Sequence, residues 1–150
     1  MEDLRELYQT TILDHNKNPR NFHRPDGANR EAAGHNPLCG DKLVVYVDVE
    51  DDRVADIGFE GSGCAISTAS ASLMTEYAKG RSRSEIEKTF ERFHALVAGN
   101  PSEPADASEL GKLAVFAGVR EFPMRVKCAT LAWHTLRAAL DESRETAKTE

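Results

Sequence analysis

The chain has 150 residues, of which 40% are hydrophobic and 29% charged, and its formal net charge is −6. This composition indicates a folded chain with a hydrophobic core, and the acidic balance argues against nucleic acid as the main partner. No apolar run approaches the roughly 20 residues that span a bilayer, and the polar start "MEDLRELYQT" is unlike a signal peptide, so we expect a cytoplasmic protein without a membrane partner.

The first half of the chain predicts a helix, a loop and a β-hairpin. The segment "EDLRELYQTTILDHNKNPRNF" begins as an amphipathic helix, and "NKNPRN" ends it, because Pro19 forces Asn18 out of helical geometry. Residues 23–41 are rich in Gly, Pro and Asn and predict a loop, with room for one short edge strand around "REAAG". The hairpin covers "KLVVYVDVEDDRVADIGFEG", with "EDDR" as its turn. Period-2 alternation assigns the inward positions to Leu43, Val45, Val47 and Val49 on one strand and to Ala55, Ile57 and Phe59 on the other.

The second half predicts helices. A glycine turn leads into "STASASLMTEYA", which Gly80 ends, and Ser84 with Glu87 forms a capping box for "EIEKTFERFHALVAG". After a Pro-rich loop, Ser108 is expected to cap "ELGKLAVFAGV". The last helix begins after Pro123, and its buried stripe comprises Val126, Ala129, Trp133, Leu136 and Leu140.

These elements predict an α+β fold in which a small antiparallel sheet of about three strands packs against several helices. The chain shows no repeat and no linker, so we expect a single domain over residues 1–150. Residues 141–150 are expected to be a frayed tail.

The three cysteines stand at the borders of predicted elements. Cys39 lies in a Pro/Gly turn before the first hairpin strand, and Cys64 follows the second, so the returning hairpin brings both to one end of the sheet. Cys128 is expected in the first turn of the last helix, near its apolar stripe but not in it. Free N–H groups there, with the flanking Arg125 and Lys127, would favour a thiolate.

Asp41, two residues after Cys39, would complete a set of four donors suited to Zn²⁺. The pattern alone leaves alternatives open. Cys64 fits the role of a small buried core residue as well as it fits that of a ligand. His35 could replace Asp41 as a ligand. We expect the remaining histidines to have packing, surface or capping roles: His134 in packing, and His15, His23 and His94 at the surface or in caps.

Four segments in order carry a resemblance to a known family: "LYQTTILDHNKNPRNF", "NPLCGD", "GFEGSGCAISTASASLM" and "RVKCATLAW". Together they resemble the U-type iron–sulfur assembly proteins, the family of IscU, SufU and the N-terminal part of NifU. The resemblance implies a SufE/NifU-like fold and one exposed metal site. Its ligands would be Cys39, Asp41, Cys64 and Cys128.

Three features are more similar to the SufU branch than to the IscU branch. Lys127 stands where the IscU branch has a histidine, "FPMRVK" does not reproduce its "LPPVK"-like stretch, and the segment between Cys64 and Cys128 is longer. This resemblance implies a zinc-binding, sulfurtransferase-type carrier that takes sulfur from a SufS-type cysteine desulfurase and passes it toward downstream iron–sulfur assembly proteins. It implies Cys39 as the sulfur acceptor. We expect Arg125 either to stabilise the released thiolate or to form an ordinary salt bridge.

Two other functions remain open from the sequence. The same ligands could hold iron or a [2Fe–2S] cluster, which would make the protein a scaffold for cluster assembly. Alternatively, the zinc could be purely structural in a binding module, although an aspartate ligand and an open glycine turn fit a closed structural site poorly.

Overall fold

A computed structural model describes residues 2–37, 40–100, 102, 110–141 and 147–148. In chain order the elements are α1 (Glu2–Lys17), β1 (Arg30–Asn36), β2 (Asp41–Glu50), β3 (Arg53–Ser62), α2 (Ala65–Ala78), α3 (Arg83–Ala98), a 3₁₀ helix (Gly111–Glu121), α4 (Pro123–Leu140) and β4 (Ala147–Lys148). Among these helices none has the length and apolar character needed to cross a bilayer.

The sheet has the strand order β3-β2-β1-β4. The pairs β1–β2 and β2–β3 are antiparallel, which confirms the predicted small antiparallel sheet and α+β class. The strand expected around "REAAG" is β1, and the two-residue β4 pairs with it in parallel at Gly34 and His35. Most of the tail expected to fray, including residues 142–146, lies outside the described residues.

The hairpin turns at Asp51 and Asp52, whose φ angles of 51° and 63° are those of a two-residue turn that matches the strand twist. A register shift between Asp48 and Val49 then changes which residues of β3 face the core. Val54 is buried and Ala55 is exposed, so the predicted inward position of Ala55 was wrong. Beyond the bulge the predicted alternation holds, and Ile57 and Phe59 are buried.

The core lies between the sheet and helices α2, α3 and α4. Small buried side chains on α2 let it approach α4 closely, and the Ser70 hydroxyl donates to the Ala129 carbonyl across this contact. Trp133 of α4 stacks on Phe90 and Phe93 of α3, with ring centroids 5.9 and 5.3 Å apart. These contacts make α4 the central helix on which the sheet and the other helices converge.

Two local predictions about the helices need correction. The capping box of α3 is formed by Ser82 and Glu85, because Ser82 keeps a non-helical backbone and bridges to Arg53, whereas Ser84 is already inside the helix. The segment predicted as a helix after the Pro-rich loop is a 3₁₀ helix over Gly111–Glu121. Its expected cap, Ser108, lies outside the described residues.

His15 also differs from its prediction as a surface or capping residue, because it is buried against α2. Its Nδ1 lies 2.7 Å from the Ser72 hydroxyl, which also accepts from the Arg20 backbone N–H. The Asn21 side chain donates to the Thr75 hydroxyl one turn further along α2. These bonds fasten the segment after α1 to the core, whereas His23 and His94 are exposed as predicted.

Candidate metal centre

Asp41 begins β2 and is fully buried at the end of the sheet where the hairpin strands start and finish. Its Oδ1 accepts a hydrogen bond of 2.9 Å from the backbone N–H of Cys64. Its Oδ2 is buried and, among the described residues, has no hydrogen-bond partner. Because a buried, unpaired carboxylate oxygen costs free energy, this oxygen indicates a binding partner such as a cation.

Gly63 permits this arrangement. A Cβ atom at position 63 would lie 2.7 Å from Oδ1 of Asp41, closer than any normal contact. The glycine turn between β3 and α2 therefore lets the backbone pass directly over the carboxylate and places Cys64 beside it.

Cys64 is the N-cap residue of α2 and is half-buried. Its sulfur accepts a 3.5 Å hydrogen bond from the backbone N–H of Ser67, as a capping oxygen would. The alternative interpretation, a small core residue, does not describe this position, because the sulfur sits at a helix end and not in the core cluster.

Cys128 is fully buried on α4. Its prediction in the first helical turn was wrong. It was also predicted near the apolar stripe but not in it, and the hydrophobic cluster that contains this stripe does not include Cys128. The helix begins at Pro123, so Cys128 lies beyond the turn whose N–H groups are free. Because α4 contacts β1, β2 and α2 together, its buried face is wider than one stripe and includes Cys128.

The hairpin and α4 bring three predicted ligands together. One ligating atom each from Asp41, Cys64 and Cys128 lies within 4.8 Å of the others. His35 is in β1 opposite Lys42 and is not a member of this group of described residues. Cys39, the fourth predicted ligand, lies outside the described residues and stays a prediction.

The surroundings of Cys64 favour its thiolate. The pKa of Cys64 falls from 9.0 to about 6, chiefly because the Cys128 thiol donates a hydrogen bond to its sulfur. Hydrogen bonds from backbone N–H groups lower this pKa further, whereas burial and the charge of Asp41 raise it. The negative charge on Cys64, with a smaller effect of Cys128, raises the pKa of Arg125, which is exposed at the start of α4. Arg125 therefore faces both sulfurs from the solvent side.

Asn36 is a site residue that the sequence pattern did not single out. It is fully buried, pairs with Asp41 between β1 and β2, and its side-chain amide donates to the sulfur of Cys128 across 3.8 Å. The only signal was its place in the segment "NPLCGD", where a polar residue before proline is typical of a turn.

Two sulfurs and one carboxylate, whose Oδ2 has no hydrogen-bond partner among the described residues, form a donor set that fits Zn²⁺ or iron. Fold and site together define a class: an α+β protein in which two cysteines and an aspartate that could hold a metal ion meet at one end of the sheet. Within that class the chain belongs to the family described as the NifU-like N terminal domain, whose model matches residues 7–129.

Relatives of both predicted branches match the chain. It is 39% identical over 145 residues to the "Iron-sulfur cluster assembly scaffold protein IscU" of Streptococcus pyogenes serotype M1, covering 95% of this chain and 88% of the relative. It is 39% identical over 137 residues to the "Zinc-dependent sulfurtransferase SufU" of Bacillus subtilis (strain 168), covering 89% of each. The family resemblance is thereby confirmed, and these two identities do not separate the branches.

A solved structure has the same fold. It is described as a putative iron–sulfur cluster assembly scaffold protein for the SUF system from Fervidobacterium islandicum AW-1. It is 34% identical, its TM-score is 0.79, and the match covers 87% of this chain and 93% of that one. The SufE/NifU-like fold expected from the resemblance is therefore the observed one.

Proposed function

We propose that this protein acts in iron–sulfur cluster assembly as a zinc-dependent sulfur acceptor, which takes persulfide sulfur from a SufS-type cysteine desulfurase. The observation that carries the proposal is the convergence of Asp41, Cys64 and Cys128 within 4.8 Å, with the buried Oδ2 of Asp41 unpaired within the described part of the chain. The relative named as a zinc-dependent sulfurtransferase supports it. We also propose cytoplasmic location and hand-over of sulfur to downstream iron–sulfur assembly proteins.

The ligands would be Cys39, Asp41, Cys64 and Cys128. A bound Zn²⁺ holds cysteine thiols deprotonated at neutral pH. In the transfer step the Cys39 thiolate attacks the outer sulfur of the desulfurase persulfide. The S–S bond of that persulfide breaks, its electron pair leaves with the desulfurase cysteine as a thiolate, and a new S–S bond forms on Cys39. One thiolate is consumed and one is produced, so the step needs no further oxidant or reductant.

The interactions of Arg125 support a role for it in this step. Its guanidinium is exposed and interacts with the charges of Cys64 and Cys128, so it stands at the solvent side of the site where a fourth ligand would enter. We propose that it stabilises the Cys39 thiolate after that thiolate leaves the metal.

The partner would contact the surface around Arg125. Phe122 and Met124, on either side of Pro123, are 59% and 56% exposed. Two exposed apolar side chains beside a charged site are typical of a contact surface, because their burial stabilises a complex while the charge orients it.

A [2Fe–2S] scaffold is the second candidate function, because the same two sulfurs and carboxylate also suit iron. The relative named as a scaffold protein supports it. The two functions differ in the metal that the purified protein carries and in its effect on a desulfurase.

The proposal predicts one Zn²⁺ per chain in protein purified without chelator under reducing conditions, with a colourless solution. Elemental analysis checks the metal, and a cysteine desulfurase assayed with and without this protein checks the transfer. We expect faster desulfurase turnover in its presence. A brown protein that carries iron and leaves the desulfurase rate unchanged would favour the scaffold.

Lys127→Ala is expected to retain the full zinc content. A protonated lysine has no lone pair for a metal, so Lys127 cannot replace the histidine of the IscU branch. Asp41→Ala, which removes a buried carboxylate of the site, is the matched comparison and should lose most of the zinc. Zinc loss in a folded Lys127→Ala variant, measured by elemental analysis, would show that this assignment is incorrect.

A further inference from the structure

We propose that Asn36 is a positioning residue of the metal centre, whose side-chain amide fixes the sulfur of Cys128 and keeps it the least reactive of the thiolate ligands. This inference rests on the metal site of the proposed function but not on sulfur transfer. The side-chain amide of Asn36, at the end of β1, is buried and contacts the sulfur of Cys128 on α4, far away in the chain.

Asn36 joins three parts of the site. It is the last residue of β1 and pairs with Asp41, the first residue of β2. Its backbone carbonyl accepts a 2.8 Å hydrogen bond from Gly40 across the segment that carries Cys39. Its side-chain Nδ2 lies 3.8 Å from Sγ of Cys128. One residue therefore links the Cys39 segment, the carboxylate strand and the helix that carries Cys128.

The chemistry requires a donor at this place. A metal-bound or ionised sulfur has no proton and can only accept hydrogen bonds, so the amide must turn its N–H group toward Cys128. Because Asn36 is fully buried, water cannot supply this bond in its place. An aspartate of the same shape would present only acceptors and would repel the sulfur.

Burial and the kind of donor, a side-chain amide instead of a backbone N–H group, distinguish Cys128 from Cys64. The sulfur of Cys64 is half-buried and accepts from the backbone N–H of Ser67, whereas the sulfur of Cys128 is fully buried and accepts from Asn36. An N–H group that donates to a metal-bound thiolate draws electron density from its sulfur and orients it. Cys128 is thereby held as a ligand while a more exposed thiolate exchanges.

The test uses two variants and a control. Asn36→Leu removes the amide and keeps a similar volume, and Asn36→Asp keeps the shape but replaces the donor by an acceptor. Thr135→Val is the control, since Thr135 is also fully buried on α4 and packs against Gly34 of β1. Its hydroxyl donates to the Leu131 carbonyl, away from the sulfurs.

The readouts are the sulfur-to-cobalt charge-transfer band of Co²⁺-loaded protein and the zinc dissociation constant from chelator competition. For Asn36→Leu we expect a band at longer wavelength and a zinc affinity about 10- to 100-fold lower, with a larger loss for Asn36→Asp. Thr135→Val should match the wild type in both readouts even where it lowers the melting temperature.

An unchanged band and affinity in both Asn36 variants, or the same changes in Thr135→Val, would overturn the inference. If Asn36→Leu does not fold, Asn36→Asp alone decides, because its side chain has the native shape. Failure of the wild-type protein to bind either Zn²⁺ or Co²⁺ would instead reject the metal site itself, and with it the proposed function.

Discussion

Removal of the zinc by a chelator is expected to lower the melting temperature of this protein by about 10 °C. A metal that binds only the folded chain stabilises it by about 4 kcal/mol when its free concentration is a thousand times the dissociation constant. For a domain of this length each 1 kcal/mol corresponds to roughly 2–4 °C. The ligating atoms of Asp41, Cys64 and Cys128 lie within 4.8 Å of one another, so a bound metal would tie β2, α2 and α4 together.

The measurement is thermal unfolding by circular dichroism before and after chelation, with zinc removal verified by elemental analysis. The Asp41→Ala variant is the control, because chelator should barely change a protein that already lacks zinc. The hydrophobic core around Trp133 does not include Asp41, Cys64 or Cys128, so we expect the metal-free protein to remain partly folded. An unchanged melting curve after verified removal would show that zinc does not stabilise the fold.

Cys39→Ser is expected to abolish sulfur acceptance from a cysteine desulfurase while much of the fold is retained. The other two sulfurs are held by regular structure: Cys64 caps α2, and Cys128 is fully buried on α4. Moving Cys64 would disturb the start of α2, and moving Cys128 would disturb the packing around a fully buried position. Cys39 stands between Pro37 and Gly40 in the sequence, and it is the thiol that we expect to leave the metal and react.

Cys64→Ser and Cys128→Ser are the matched comparisons, because each also removes one thiol. We expect these two variants to fail chiefly through loss of zinc and a lower melting temperature. Acceptance is measured as sulfur bound per chain after incubation with desulfurase and cysteine, beside zinc content and melting curves. Full acceptance by Cys39→Ser would exclude Cys39 as the acceptor.

Antiparallel pairing explains how much of the site was predictable. A hairpin returns to its starting edge, so the order of Asp41, two strands and Cys64 was enough to place both residues at one end of the sheet. The glycine turn before Cys64 was a further feature of the sequence, and in the structure Gly63 lets the backbone pass directly over the carboxylate of Asp41. The sequence pattern offered Cys39 and Asp41 as two of four possible donors, and the resemblance assigned them as ligands. The placement of Cys39 stays a prediction.

The errors arose where tertiary contacts decide burial. Period-2 alternation assigned Ala55 to the core, but the bulge moved Val54 there. The apolar stripe did not predict that Cys128 is fully buried, because α4 packs against several elements at once. His15 was predicted at the surface or in a cap, and Asn36 fell within the predicted loop over residues 23–41. Both are buried, and both form hydrogen bonds to residues far away in the chain.

Mass mapping of the trapped intermediate tests sulfur acceptance most directly. Zinc-loaded protein is incubated with a SufS-type desulfurase and cysteine, its free thiols and persulfides are alkylated, and the peptides that contain Cys39, Cys64 and Cys128 are analysed separately. We predict one additional sulfur atom on the Cys39 peptide and none on the other two. Sulfur on Cys64 or Cys128 with Cys39 unmodified would contradict the mechanism.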